Sequence, residues 1–275
     1  MDSPVTDLER ARLRQRPRGL PVLRQRWRHL GFLHWAVDPM ALAPLLPPGL
    51  ELDTCDGKAY LGIVPFTVRG SRPPFLPAIP LASSFHEVNL RTYVHRRGRD
   101  PGVWFFSLDA ASRLAVWGAR TAYKLPYFHA SIALQLSEEH VISFSSRRTG
   151  PGRDQTHFAC TYEPISPPAE ARVGTLEFFL VERYLLYSWD ERRLRSARVS
   201  HRPYPLCPAR ILDLGETLTA SIGDIVEPRA APMAHYAEEV DVRIYPPSAV
   251  REQARDLLTR PAAPARIQEM PSAAP

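Results

Sequence analysis

A chain of 275 residues with 44% hydrophobic side chains is long enough to bury one large core. Its formal charge of +6 comes almost wholly from arginine, because Lys58 and Lys124 are the only lysines, so chemistry that needs a side-chain amine has just two candidates. Three widely spaced cysteines (Cys55, Cys160, Cys207) without a signal-like opening argue against a disulfide framework and predict reduced thiols in a cytoplasmic protein. The most apolar stretch, Phe32 to Leu50, is broken by Asp38, Pro39, Pro44, Pro47 and Pro48, short of the ~20 apolar residues a membrane span needs.

Up to about Arg28 the chain is rich in arginine and poor in apolar residues, which predicts a solvated arm or short helix. Residues 1–19 are assigned to that arm, 20–247 to one domain, and 248–275 to a Pro- and Ala-rich, largely disordered tail with a short helical stretch near Arg251 to Leu258. Arginines recur along the whole chain, and a compositional bias explains them more simply than a nucleic-acid surface, so nucleic acid is disfavoured as a partner. Asp38-Pro39 starts a short helix, since Asp caps free amides and Pro suits a first turn, and Pro47-Pro48-Gly49 stops it. Leu50 to Thr54 and Lys58 to Arg69 flank the turn Cys55-Asp56-Gly57 and read as a hairpin. Ser84 to His95 and Val103 to Ala110 form the next strand pair, and Ala111 to Tyr123 reads as a helical crossover. Strands follow at Tyr127 to Ser137, His140 to Arg147 and Thr156 to Glu163, then a helix at Thr175 to Tyr184. A hairpin of Leu185 to Trp189 with Leu194 to His201 and a final strand at Glu238 to Tyr245 complete the domain. Strands outnumber helices and pair in sequence, which predicts an α+β fold built on a curved or closed, mostly antiparallel sheet with a few covering helices.

Alternate residues of a strand share a face, so Phe85, Glu87, Asn89, Arg91 and Tyr93 point one way, while His86, Val88, Leu90, Thr92 and Val94 form the expected core face. The first face lines up an acid, an amide and a guanidinium between two bulky rings. It is either the lining of a polar cavity or a solvated sheet surface. The strand after Pro126 repeats the pattern with Tyr127, His129, Ser131 and Gln135 on one side. Should both polar faces turn inward, Glu87, Arg91, Tyr127 and His129 converge; burial then raises the proton affinity of Glu87, and a neighbouring arginine opposes that shift. Glu182 and Arg183 either join such a pocket or form the polar side of an amphipathic helix, and His201 either caps a cavity mouth or packs beneath the following prolines. His34, His157, His201 and His235 lack metal-ligand spacing, the cysteines form no CxxC pair, Gly150-Pro151-Gly152 reads as a turn, and no GxSxG elbow occurs, so neither a metal nor another cofactor is expected.

Three segments resemble the YqjF-like family of the acetoacetate decarboxylase-like superfamily. They are Phe85 to Val94, Gly102 to Ala110 running on to Ala119-Arg120 and Leu125-Pro126-Tyr127, and Phe179 to Tyr187 with His201 to Leu206. The resemblance implies a cone-like β structure enclosing a pocket. In acetoacetate decarboxylase the pattern is a strand glutamate, an aspartate, Gly-Arg-Glu and an aromatic-Pro-Lys-Lys run; Glu87, Asp109, Arg120 and Pro126 follow that order here. Tyr127 and Phe128 stand in place of the lysines, so the Schiff-base amine is missing, and tyrosine cannot form an imine.

The reading that emerges is a protein with a polar pocket for a small anionic or carbonyl-bearing organic molecule. Arg91 or Arg120 grips the anion, Asn89 and His129 help line the site, and Glu87 and Tyr127 are placed for proton transfer of a lyase or isomerase type without an imine. Two alternatives stand beside it: a non-catalytic binding or sensory module, and an interaction protein that uses the arginine-rich arm. Whether the chain is an enzyme, and whether it forms a homo-oligomer, is left open by the residues.

Overall fold

The computed structural model describes residues 5–78, 83–150, 156–190, 192–225 and 230–250. The helical stretch expected near Arg251 to Leu258, the rest of the tail and the turn residues Pro151 and Gly152 lie outside them. In chain order the elements are α1 (Asp7–Arg12), β1 (Leu23–Val37), α2 (Pro39–Leu42), β2 (Glu51–Leu52), β3 (Ala59–Arg72), β4 (Phe85–Arg96), β5 (Arg99–Ala110) and α3 (Arg113–Tyr123). They continue through β6 (Tyr127–Leu136), β7 (Ile142–Arg148), β8 (His157–Pro164), α4 (Leu176–Val181), β9 (Leu185–Trp189), β10 (Leu194–Ser200), β11 (Leu206–Glu216), β12 (Met233–Ile244) and β13 (Ser248–Ala249).

The strands form one sheet that closes on itself twice. The order β5-β6-β7-β8-β11-β12-β1-β3-β4 returns to β5 through the β4–β5 pairing, and a second circuit runs from β5 through β9 and β10 to β12, β1, β3 and β4. The two rings share a wall of β12, β1, β3, β4 and β5. The pairing is antiparallel except where β5 lies parallel to β6 at one end and parallel to β9 at the other, so β5 is the fork at which the rings part.

Where a strand of the shared wall lies between the two rings it has no solvent face; only the strand ends that run past the rings have one. Ala59 to Val68 of β3 and Glu87 to His95 of β4 are buried without interruption, whereas β7 alternates as a one-sided strand does. The expected single core face of β4 is thereby corrected: Val88 and Leu90 pack into one ring with Leu61, Ile63, Phe144 and Phe158, and Tyr93 packs into the other with Phe32, Tyr60, Phe179 and Leu180. The second ring is filled by α4, which Thr175 caps by accepting from the Phe178 amide and whose residues Phe178 to Val181 are all buried. The helix expected over Thr175 to Tyr184 stops at Val181, and Glu182 and Arg183 are buried rather than on a polar helix side.

Three further expectations change. Of the two readings of the arginine-rich start the short helix holds, as α1, but it is docked rather than solvated: Arg10 is buried against Asp53, and Arg14 pairs with Glu182 at 3.2 Å and lies over the Phe178 ring, while Gln15, Arg16, Arg18 and Gly19 are exposed. Leu23 to Val37 is a strand, since Arg24, Arg26 and Arg28 alternate with Leu23, Gln25 and Trp27, a period of two masked by its charge. The turn after Cys55 is closed by an antiparallel bridge between Cys55 and Lys58, but the segment before it pairs with β4 through Glu51–His95 and Leu52–Val94 rather than with β3, because Asp53 turns inward to meet Arg10 and Arg183. β11 had no counterpart in the sequence reading; Pro208 within it weakens the strand pattern.

Candidate functional site

The register of three strands lays out the site. Glu87 lies opposite Ala110 and Asn89 opposite Leu108, while Ala110 neighbours His129 and Leu108 neighbours Tyr127 on the other side. Residues in register share a face, so Glu87, Ala110 and His129 make one row and Asn89, Leu108 and Tyr127 the next. The small Ala110 side chain leaves space between the rows. Across it the Tyr127 hydroxyl donates to Glu87 Oε2 at 2.9 Å. Burial pushes the Glu87 carboxyl up to about 8, against the Tyr127 hydrogen bond and with the Asp109 charge adding to the rise. The opposition expected from an arginine comes instead from a phenol. Burial, then the Glu87 charge and hydrogen bond, holds the Tyr127 hydroxyl well above its ordinary value, so both groups carry protons at neutral pH.

Arg91 belongs to a second group on the same face. His34, Gly62 and Arg91 are in register across β1, β3 and β4. A Cβ on Gly62 would stand 3.1 Å from His34 Cδ2 and 3.3 Å from the Tyr93 hydroxyl, so the missing side chain is what lets His34 and Tyr93 meet. The Tyr93 hydroxyl donates to Leu180 O at 2.7 Å, and with its one proton used there it accepts from His34 Nε2 at 2.7 Å. That assignment leaves His34 Nδ1 without a proton. Burial first, then the charges of Arg91 and His235, keeps the ring neutral by pushing its pKa well down. The Arg91 guanidinium donates to Leu180 O at 3.3 Å and lies 5.9 Å from the Phe32 ring centre.

Among the described residues, His34 Nδ1, Asn89 Oδ1, Arg91 Nε, His201 Nε2 and His235 Nδ1 are buried without a hydrogen-bond partner. Buried polar atoms are nearly always paired; other orphans, among them Ser146 Oγ, Arg148 Nη2 and Tyr162 Oη, lie away from this group. Two open surface concavities of about 400 and 420 Å³ lie elsewhere and include none of these residues.

The structure thus brings Glu87, Tyr127 and Asn89 together, sets His129 beside them with Nδ1 2.7 Å from Thr149 Oγ1, and places Arg91 further along the strand with His34 and Tyr93. It does not bring Arg120 in. That residue is exposed at the end of α3, with Nε 2.6 Å from the Tyr127 carbonyl and its guanidinium over Phe128. Neither lysine enters: Lys124 is the exposed left-handed C-cap of α3 at φ 55°, and Lys58 is exposed in the turn before β3. Asp109 faces the first ring, where Arg148 Nε reaches its two oxygens at 2.9 and 3.0 Å from above the Phe128 ring. Burial raises Asp109 to about 6 in spite of that partner. His201 is buried between two aromatic rings, stacked 4.6 Å from Tyr184 and 4.5 Å from Tyr204, with Nδ1 on Arg202 O. His34 and the Asp53, Arg10 and Arg183 cluster were missed by sequence reasoning; the alternation in Leu23 to Val37 was the available signal for His34. Among the described residues no group of three or more His, Cys, Asp or Glu is arranged to hold a metal, and no helix is long and apolar enough to cross a membrane.

Residues 24–241 match the model of the DUF2071 family, described as an uncharacterised conserved protein. The chain belongs to the DUF2071 family. It is 40% identical over 230 residues to the YqjF protein of Bacillus subtilis strain 168, a match covering 84% of this chain and 93% of YqjF. Among solved structures, the enduracididine biosynthesis enzyme MppR complexed with pyruvate superposes with a TM-score of 0.60 at 14% identity, over 86% of this chain and 93% of MppR. The acetoacetate decarboxylase of Legionella pneumophila gives a TM-score of 0.59 at 15% identity, over 86% of this chain and 92% of that enzyme. At such identities the likeness shows the fold, and this DUF2071 chain has the acetoacetate decarboxylase-like one.

Proposed function

We propose that the Glu87 wall binds a small carbonyl-bearing organic anion, such as a keto acid, and moves a proton on the carbon beside its carbonyl without forming an imine. The observation that carries this reading is the buried Glu87 carboxyl, held near pKa 8 in a 2.9 Å hydrogen bond with Tyr127. A carboxyl tuned to near neutrality is suited to proton transfer. In its ionised form Glu87 removes the proton, the C–H electron pair moves through the new C=C bond onto the carbonyl oxygen, and return of the proton at either end completes an isomerisation or exchange. Tyr127 steadies the Glu87 charge, and Arg120 positions Tyr127 through its carbonyl. Asn89 and Arg91 meet the anion, with His129 beside them. The bound pyruvate of the fold relative MppR supports the ligand class.

The test is deuterium uptake from solvent into pyruvate and longer keto acids, followed by proton NMR with the purified chain. Exchange above the buffer rate, cut at least ~100-fold in Glu87→Gln while binding persists, and weak binding in Arg91→Ala, are the expected results. Binding without exchange would favour the second reading, a sensory or binding module, for which the orphaned acceptors of the wall speak. No keto-acid binding by a normally folded protein would overturn both.

A further inference from the structure

The outer face of the sheet carries an unusual arrangement. Arg243 of β12, Arg24 of β1 and Arg72 of β3 stand in register on three adjacent strands, and in the next row Asp241, Arg26 and Arg69 do the same. Strands lie about 4.8 Å apart, and like charges directly opposite one another destabilise a sheet. The carboxylates are all at one end. Arg26 meets Asp241 at 3.2 Å and Glu239 at 3.3 Å, and Arg28 meets Glu239 at 3.0 Å, whereas among the described residues Arg24, Arg69, Arg72 and Arg243 have no carboxylate partner. The backbone is shaped to keep them together. An irregularity between Arg24 and Arg26 brings Arg69 rather than Gly70 opposite Arg26, Gly70 takes φ +59°, and Arg72 rests one guanidinium nitrogen on the Gly70 carbonyl at 3.1 Å. These residues line a concavity of about 420 Å³.

We propose that this concavity is a binding site for a small polyanion with two or more phosphoryl groups, held by Arg24, Arg69, Arg72 and Arg243. Guanidinium groups bind phosphoryl oxygens through a planar fork, and four of them converging on one hollow supply what a polyphosphate requires. The hollow is within the ~300–1,000 Å³ range of small-molecule sites. Its acidic end, at Glu239 and Asp241, gives the site a polarity and limits it to a compact ligand, whereas a nucleic-acid strand favours a basic track without carboxylates. The site is on the outer face, away from Glu87, and stands whether or not the keto-acid reading does.

The experiment is calorimetric titration of the full chain with inorganic triphosphate at fixed ionic strength, beside Arg24→Gln, Arg72→Gln and, as a charge-matched control, Arg113→Gln on the exposed face of α3. Saturable one-to-one binding, weakened at least tenfold by each of the first two changes and not by the third, is expected. The ligand-free melting temperature of Arg24→Gln should equal or exceed that of the parent, because the row loses its repulsion. Equal loss in the control, or no saturable binding, would overturn the proposal. Tighter binding of duplex DNA, growing with its length, would overturn it too, by assigning the face to a polymer.

Discussion

Tyr127 donates its phenolic proton to Glu87 across the small side chain of Ala110, at 2.9 Å. In the sequence pattern of acetoacetate decarboxylase a lysine takes this place; here a hydroxyl does, and it tunes a carboxyl instead of attacking a carbonyl. Tyr127→Phe removes the hydrogen bond that lowers the Glu87 pKa, so the carboxyl should titrate higher still than about 8. The pH midpoint of keto-acid proton exchange, or a carbon NMR titration of Glu87, reads this, with about 1 kcal/mol of stability lost in denaturant unfolding. A lower or unmoved midpoint would contradict the assignment.

Glu87 also makes stability depend on pH. Its carboxyl holds the proton to about 8 in the folded chain against an ordinary 4.5, so between those values the unfolded chain releases a proton that the folded chain keeps. Stability from this group is full below about 4.5 and falls as pH rises, by at most about 1.4 kcal/mol per pH unit, until the folded carboxyl ionises near 8. Glu87→Gln should flatten that decline, so that relative to the parent the variant gains between pH 5 and pH 8. Urea melts at both pH values measure it; parallel curves would show that the carboxyl is ionised throughout.

Gly62→Ala tests the contact between His34 and Tyr93. The added Cβ would lie 3.1 Å from His34 and 3.3 Å from the Tyr93 hydroxyl, in a wall buried on both faces. The expected loss is about 1–3 kcal/mol by chemical denaturation, with weaker keto-acid binding as His34 is displaced. A neutral result would mean that the ring has room to turn away.

Asp53 holds two arginines that arrive from different parts of the chain, Arg10 of α1 and Arg183 after α4, the latter at 2.6 Å. Burial pushes its carboxyl up, yet Arg183 and Arg10 together outweigh that and hold it below its ordinary 3.8. Its contribution is therefore present above pH 3.8 and lost as pH falls below that value. Asp53→Ala leaves two guanidiniums without their shared carboxylate and should destabilise by about 3–5 kcal/mol, and susceptibility to proteolysis between α1 and β1 should rise as the N-terminal helix lets go. Thermal melts and limited proteolysis report the two effects separately.

With Lys58 and Lys124 both exposed, borohydride reduction in the presence of a keto acid should attach nothing within the Glu87 wall. Intact-mass and peptide mapping check this. A reduced adduct at Lys124 that abolished exchange would restore an imine mechanism.

Much of the fold was legible because local chemistry wrote it. The Asp38-Pro39 start, the Ser84 to His95 and Val103 to Ala110 pair, the crossover into β6 and the hairpin of β9 and β10 each carry their own pattern of turns and alternation. β1 was obscured because its solvated face is all arginine, and β11 because a proline interrupts it. Of the candidate site, Glu87, Asn89, Arg91 and Tyr127 were readable as polar residues alternating with apolar ones. His34 was not, since its role depends on a glycine in another strand.

The amino-acid sequence by itself determined the strand-rich class and the family resemblance, and through that resemblance the absence of a lysine where the acetoacetate decarboxylase pattern has its pair, because these follow from residue identity and order. Only the tertiary structure decided that β4 is walled in on both sides, that Tyr127 meets Glu87 while Arg120 stays outside, and that Asp53 gathers Arg10 and Arg183. The physical reason is the double closure of the sheet: which face of a strand meets water, and which side chains meet across it, depends on partners scores of residues away, and no local period encodes that choice.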